Sequence, residues 1–431
     1  MLLIYTQKIT PRIIYIFKHL CTGILGISIK FTTKIEEFIA HDGMKLSYGK
    51  QPLGKELFFQ KIDLLTEQGF SEVEIKVQPW EDSVCFFPVP EASALPFDIF
   101  AASFYLLSRY EEYAPHVKDE AERFPVSESL AYQEGFLSSP VVDKWALKFR
   151  NVLAERFPDI KLQERFFEAN AVMAVENIFA YKNKGVLRSF SGMQRDFFQL
   201  NFNKVFDRLQ VGFRIKKDPF NIFEDLIELI KKYKLEMYFM FQLSNFSIHD
   251  RNINYNRIPG RSVIKSVGDY ARVGLLQGYY AAKDMKTLRT EKLRMENIVH
   301  SSLDHVLNSR HDLGLPENYN NLVELEVHND FSMGYPDAMG FRAGTCTPFL
   351  FYDINMEVTT PLMLHPYVFN SGIYENVKAE QVHQEVAKAL RQVQEVGGKF
   401  RAVFKNQDFS SYSNKVMFYS VLKQIYEIKD F

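Results

Sequence analysis

Apolar positions along this chain recur with two kinds of period, and the change between them divides it. Over residues 1–165 short alternating stretches mix with helical ones. Gly26–Thr33, Glu74–Val77 and Val84–Val89 alternate as strands do. Phe97–Tyr113 predicts a helix, because Phe100, Phe104 and Leu107 recur at helical spacing between Pro96 and Pro115. Trp145–Phe157 predicts another. Near the start, Thr10 caps a helix, Pro11 suits its first position, and Gly23 or Gly26 ends it. This mixture predicts an α+β N-terminal domain over 1–165. A charged and polar stretch between Phe157 and Phe166 marks its end.

From Phe166 onward strands and helices alternate. Predicted strands are Val172–Val175, Leu235–Leu243, Arg272–Leu276, His305–Asn308, Leu362–Phe369 and Lys399–Phe404. Predicted helices are one opened by Asp218-Pro219, then Arg261–Ala271, Met285–His300, Pro316–Leu325, Asn376–Val396 and Ser413–Ile428. Repeated βα units imply parallel strands joined by right-handed crossovers. No Gly-x-Gly-x-x-Gly or Walker sequence follows the first strand, so an open nucleotide-binding sheet lacks its fingerprint. The expected fold class is therefore α/β, with a distorted or incomplete (β/α) barrel over residues 166–431.

Composition narrows the function classes. A chain of 431 residues is too long for one typical core, which agrees with two domains. The net charge of -1 and the lack of a long Lys/Arg run argue against nucleic acid as a partner. Cys21, Cys85 and Cys346 are sparse and unpaired in sequence, as expected of small buried side chains in a reducing compartment. Ile13–Ile29 is broken by Lys18 and His19, with no cleavage site after it, so neither an export signal nor a transmembrane segment is expected. The expected location is cytoplasmic. Aromatic residues reach 15%, which fits an aromatic-rich core and equally a sugar-stacking surface.

In a barrel the chemistry gathers at the C-terminal strand ends. The first end offers Ala174, Glu176 and Asn177; the others offer Leu276, His365 and Lys405-Asn406. A catalytic metal needs about three N or O ligands and an open position, which this set does not supply. Arg310-His311-Asp312 is a compact polar trio after a strand, and Arg342 sits in a glycine-flanked loop. His300 and His305 are spaced too far apart to share one helix face. The candidate pocket residues are Glu176, Arg310, His311, Arg342 and His365.

Several stretches carry a resemblance. Ile4-Tyr-Thr-Gln-Lys-Ile-Thr-Pro-Arg12, the run from Leu95 to Tyr113, Tyr181-Lys-Asn-Lys-Gly185, and Gly340-Phe-Arg-Ala-Gly-Thr-Cys-Thr-Pro-Phe-Leu-Phe-Tyr-Asp353 are similar to a branch of the polysaccharide deacetylases. These are the NodB-homology carbohydrate esterases, and this branch carries an extra N-terminal domain. The resemblance implies an incomplete (β/α) barrel. It also implies a divalent metal, commonly zinc, held by Asp and His, which activates water against an acetyl group, with an Asp as base and a His as acid. Matched position by position, the two aspartates of the first strand fall on Ala174 and Glu176. The metal histidine after Gly-Leu falls on Leu276, and that of a late Trp-His-Asn on Lys405. Ser309-Arg310-His311-Asp312 is a shortened Ser-Arg-x-His, and Phe369-Asn370 replaces Met-Asp.

The leading expectation is thus a catalytically degenerate deacetylase-like protein that binds carbohydrate or a protein partner, with no cofactor. A second reading is an active metal-dependent deacetylase whose zinc is held by a rearranged set, Glu176, His311 and His365. A third is a structural partner in an assembly that modifies surface polysaccharide.

Overall fold

A computed structural model describes residues 1–182, 193–194, 197–198, 200–250, 252, 255–374 and 377–427, with the side chains of 203 and 204 excluded. Asn183, Lys184 and Gly185 of the similar stretch, and the predicted helix ends Asn376 and Ile428, lie outside these residues.

The N-terminal region is built on a four-stranded sheet. Its strands are β1 (Leu2–Tyr5), β2 (Ile29–Thr32), β3 (Lys45–Gly49) and β4 (Leu57–Gln60), in the order β2-β1-β3-β4. All four run parallel. The mixed α+β pattern expected for 1–165 does not specify this parallel pairing; the helix after β1 carries the chain to β2 beside it. That helix, Pro11–Phe17, is capped by the Thr10 side chain at 3.2 Å and continues as a π-helical stretch to Ile24. A hairpin of β5 (Gln78–Trp80) and β6 (Ser83–Cys85) follows.

The second sheet has nine strands. They are β7 (Glu168–Val175), β8 (Met237–Phe241), β9 (Arg272–Gln277), β10 (His305–Asn308), β11 (Asn329–Asp330), β12 (Phe349–Asp353), β13 (Val358–Leu364), β14 (Phe369–Asn370) and β15 (Lys399–Lys405). Their order is β12-β13-β11-β10-β9-β8-β7-β15-β14. Eight are parallel; β12 alone runs antiparallel, against β13. Among the described residues β13 and β14 do not pair, so the sheet is open there. Helices packed outside it bury one stripe each: Phe223, Leu226, Ile227 and Ile230 in Phe223–Tyr233, and Val382, Val386, Leu390 and Val393 in Ala379–Glu395.

Alternation along the strands gives the sheet two different faces. Ala171, Met173, Val175, Phe239, Phe241, Leu275, Phe400 and Phe404 point to the helices and join one core that runs through both parts of the chain. Val172, Ala174, Met240, Leu276, Leu307, Phe331, Tyr367 and Val403 form a separate buried cluster on the other face.

Candidate functional site

The second cluster sits where the sequence placed its inert positions. Ala174 pairs in register with Met240 on one side and with Lys405 on the other. Leu276 is opposite Leu307. Ala174 and Leu276 are thereby brought together in one apolar plug with Met240 and Tyr367. Two glycines make room for it. A Cβ on Gly274 would come within 2.6 Å of the Met240 sulfur, and one on Gly334 within 2.5 Å of the Tyr367 ring. Ala174, Met240 and Leu276 offer no hard donor, and the Tyr367 hydroxyl is taken up by His311, so the space is a packing site.

Polar groups ring the plug at the C-terminal strand ends. Glu176 follows β7 directly. Gln407 Nε2 donates to its Oε2 at 2.6 Å, and Lys405 Nζ lies 3.8 Å from its Oε1. The Lys405 backbone N–H donates to Ser371 Oγ at 3.1 Å, and the Ser371 hydroxyl donates to Asp408. Burial raises the Asp408 carboxyl above its usual range. The loop after Glu176 is fixed from below: Asp218 accepts the N–H groups of Ala180, Tyr181 and Lys182 at 2.7–3.0 Å. Asn406 Nδ2 ties Asn177 O at 2.8 Å to Phe220 O at 3.2 Å.

His311 belongs to the same ring. Its backbone is left-handed, φ +55°, and its Nδ1 lies 2.9 Å from the Tyr367 hydroxyl of the plug. Burial lowers its pKa to about 3, and the Lys405 charge acts in the same direction, so the imidazole is neutral. Arg310, one residue earlier, turns outward. Its guanidinium lies 4.6 Å over the Tyr279 ring and donates to Ala121 O at 3.0 Å. Tyr279 stacks on His249 with centroids 3.9 Å apart, and Tyr280 stands edge-on at 5.0 Å. Tyr279 N–H donates to Asp250, which takes Gln242 Nε2 at 2.7 Å and is raised in pKa by burial.

Two of the five expected residues stand elsewhere. His365 does not join Glu176 and His311. Its Nε2 meets Asn329 Oδ1 at 2.8 Å, its ring stacks on Phe331 at 4.5 Å, and burial, then Arg401 and His305, lower its pKa to about 2. Of those neighbours, His305, Asn329 and Arg401 lie on the earlier halves of β10, β11 and β15, and Phe331 follows β11 directly. Arg342 is buried and committed. Its Nε and Nη2 clasp Glu112 at 2.9 and 2.7 Å, and Nη1 donates to Gly334 O at 3.2 Å. Among the described residues, no three His, Cys, Asp or Glu side chains gather closely enough to hold a metal. Sequence reasoning missed Tyr280, His249, Asp250 and Asp408. Only the run Gly278-Tyr279-Tyr280 at the end of β9 signalled any of them.

A model of a family of unknown function, DUF7033, matches residues 2–158. No protein of curated function matches the chain. Three solved structures are similar in fold outline. One, from Mycobacterium smegmatis, is provisionally assigned as a polysaccharide deacetylase; the TM-score is 0.40 at 9% identity, over 63% of this chain and 88% of that one. Another is a CE4 family pseudoenzyme from Bacillus anthracis, with TM-score 0.32 and 6% identity over 60% and 61%. The third is a polysaccharide deacetylase from Bacillus cereus, with TM-score 0.30 and 9% identity over 61% and 88%.

Proposed function

We propose that this chain is a deacetylase-like scaffold without a hydrolytic centre, and that it binds carbohydrate at the C-terminal rim of an incomplete barrel. The barrel reading is supported by strand order. Read as β14-β15-β7-β8-β9-β10-β11-β13, the parallel strands keep chain order apart from one rotation, as they do around a barrel opened between β13 and β14.

The observation that carries the functional reading is the shared apolar cluster of Ala174 and Leu276. The resemblance puts an ion's Asp and His at those two positions. Zinc takes N, O or S donors, and neither alanine nor leucine supplies one. The third matched position is a lysine, whose cation already faces the one remaining carboxylate, Glu176. These residues do not fit a metal centre. What remains suits binding. Asp250 holds the Tyr279 backbone within electrostatic reach of Glu176, beside the aromatic group Tyr279, Tyr280 and His249, and rings of this kind stack on pyranose faces.

Calorimetric titration with an N-acetylglucosamine oligomer, paired with an acetate-release assay, tests this. Saturable binding is expected, weakened roughly tenfold by Tyr280→Ala, with no acetate released whether or not zinc is added. Zinc-dependent acetate release would overturn the loss of catalysis. Absence of binding to acetylated and deacetylated oligomers alike would overturn the carbohydrate reading.

A further inference from the structure

The connection between β7 and β8 contains the helix Phe202–Gly212. Apolar residues recur in and just after it at Phe202, Phe206, Leu209 and Phe213, which is the spacing of one helical face. Such a stripe normally turns to the core, yet this one turns to solvent. The four side chains are 55%, 62%, 41% and 75% exposed, while Val211 on the opposite side is buried. Phe197 and Phe198 extend the stripe. The Phe197 ring lies 5.9 Å from Phe202 and 6.1 Å from Phe198, both in edge contact. An apolar surface of this continuity marks an interaction site.

Charge identifies the occupant. The net charge of the whole chain is -1, but from Phe197 to Lys217 five basic residues, Lys204, Arg208, Arg214, Lys216 and Lys217, stand against a single acid, Asp207. Lys216 and Lys217 pair with Asp207 at 2.7 Å and Glu224 at 3.0 Å, exposed contacts that exchange at little cost. Arg214 is exposed beside Phe213. A second copy of this face would set like charge against like charge. No helix among the described residues is long and apolar enough to cross a membrane. A helix with an aromatic stripe and basic flanks instead lies in the plane of a bilayer interface, with rings among the acyl chains and cations at anionic headgroups.

We propose that this face docks the protein on the surface of an anionic phospholipid bilayer. The inference stands apart from the carbohydrate reading, since it uses none of the rim residues.

The test is co-sedimentation of the full chain with vesicles of equimolar phosphatidylglycerol and phosphatidylcholine, against vesicles of phosphatidylcholine alone. The protein is expected to pellet with the mixed vesicles and be released by rising salt, with affinity at least roughly tenfold lower for the neutral ones. The triple change Phe202→Ser, Phe206→Ser, Phe213→Ser is expected to abolish pelleting. Arg214→Glu with Lys217→Glu is expected to do so selectively on the mixed vesicles. All five positions are exposed, so an unchanged thermal melt checks that both variants fold. Wild type that stays in the supernatant overturns the proposal, as does a serine variant that binds like wild type. Concentration-dependent dimerisation abolished by the serine changes, without vesicle binding, would assign the face to a second copy instead.

Discussion

Lys405 shows how one side chain alters the chemistry available around it. It supplies positive charge beside Glu176, and its charge adds to burial in holding His311 neutral. Glu291 illustrates the opposite case. It is buried beneath Gly278, whose N–H donates to Oε2 at 3.1 Å, while Oε1 has no partner among the described residues. Burial raises its pKa to about 7 and the Asp250 charge adds to the rise, against the Gly278 N–H. The folded chain therefore keeps this proton to about pH 7, whereas an unfolded chain releases it near about pH 4.3. Between those values the folded state binds more protons, so this contribution to stability falls as pH rises and is complete only below the lower value. Glu291→Gln keeps an acceptor for Gly278 and removes the titration. Urea unfolding at pH 5 and pH 8 should show the variant more stable than wild type at pH 8 by about 1–3 kcal/mol, with a smaller loss between the two pH values. An unchanged loss would mean that Glu291 is ionised in the fold.

At the scale of elements, the loop carrying Arg342 is fastened to the helix end that precedes it by more than 200 residues in sequence. The helix Ile99–Leu107 stops where Arg109 adopts φ +53°, and this turn brings Arg109 and Glu112 under the loop. Arg109 donates to Glu112 at 2.7 Å, to Glu111 at 2.6 Å, and to the Arg342 carbonyl. Glu112→Ala leaves two buried guanidinium groups short of a counter-charge and should cost about 3–5 kcal/mol in chemical denaturation. Glu112→Leu with Arg342→Met should recover part of it, because only Arg109 then lacks the Glu112 carboxylate, and it keeps Glu111. A loss near that of an exposed pair, under about 1 kcal/mol, would contradict the role given to Arg342. The same segment shows what the sequence conceals. Phe97–Tyr113 reads as one helix, since its apolar spacing continues through Arg109, whose backbone is left-handed. Strands apolar on both faces were legible as runs: His305–Asn308 has the expected bounds, and Lys399–Lys405 extends one residue further. β3, reading Lys-Leu-Ser-Tyr-Gly, gives no such run and is held by pairing with β1 and β4. For the site, Ala174 and Leu276 were recognisable as inert from their chemistry alone. That Met240 and Tyr367 complete the plug depends on register, which no local pattern carries. His365 was misplaced for a related reason. Its strand ends at Leu364 and not at Phe369, and the ring turns toward Asn329.

At the scale of the molecule, the parts on either side of residue 165 share buried contacts of a kind rarely left between independent units. Arg12 clasps Glu357 at 2.5–3.2 Å and donates to Leu64 O at 2.8 Å. Asp143 accepts from Thr345 Oγ1 at 2.7 Å, Thr347 Oγ1 at 2.5 Å, Cys346 N–H at 2.9 Å and Arg165 at 3.0 Å. Burial alone would raise the Asp143 carboxyl, but Arg165 and these donors hold it below its ordinary range. Tyr15 donates to Leu350 O at 2.9 Å, and one apolar core runs from Leu2 to Ile425. Interfaces between separable domains are smaller and more polar than a shared core. Separation would expose apolar surface on both parts and leave Arg12 and Asp143 without their partners. Residues 166–431 expressed alone should therefore bind a hydrophobic dye and lack a cooperative melt, while co-expression with residues 1–165 should return a one-to-one complex with near-native near-ultraviolet circular dichroism. If each fragment instead melts cooperatively by itself, the core is divisible, and the contacts of Arg12 and Asp143 only orient two units that fold independently.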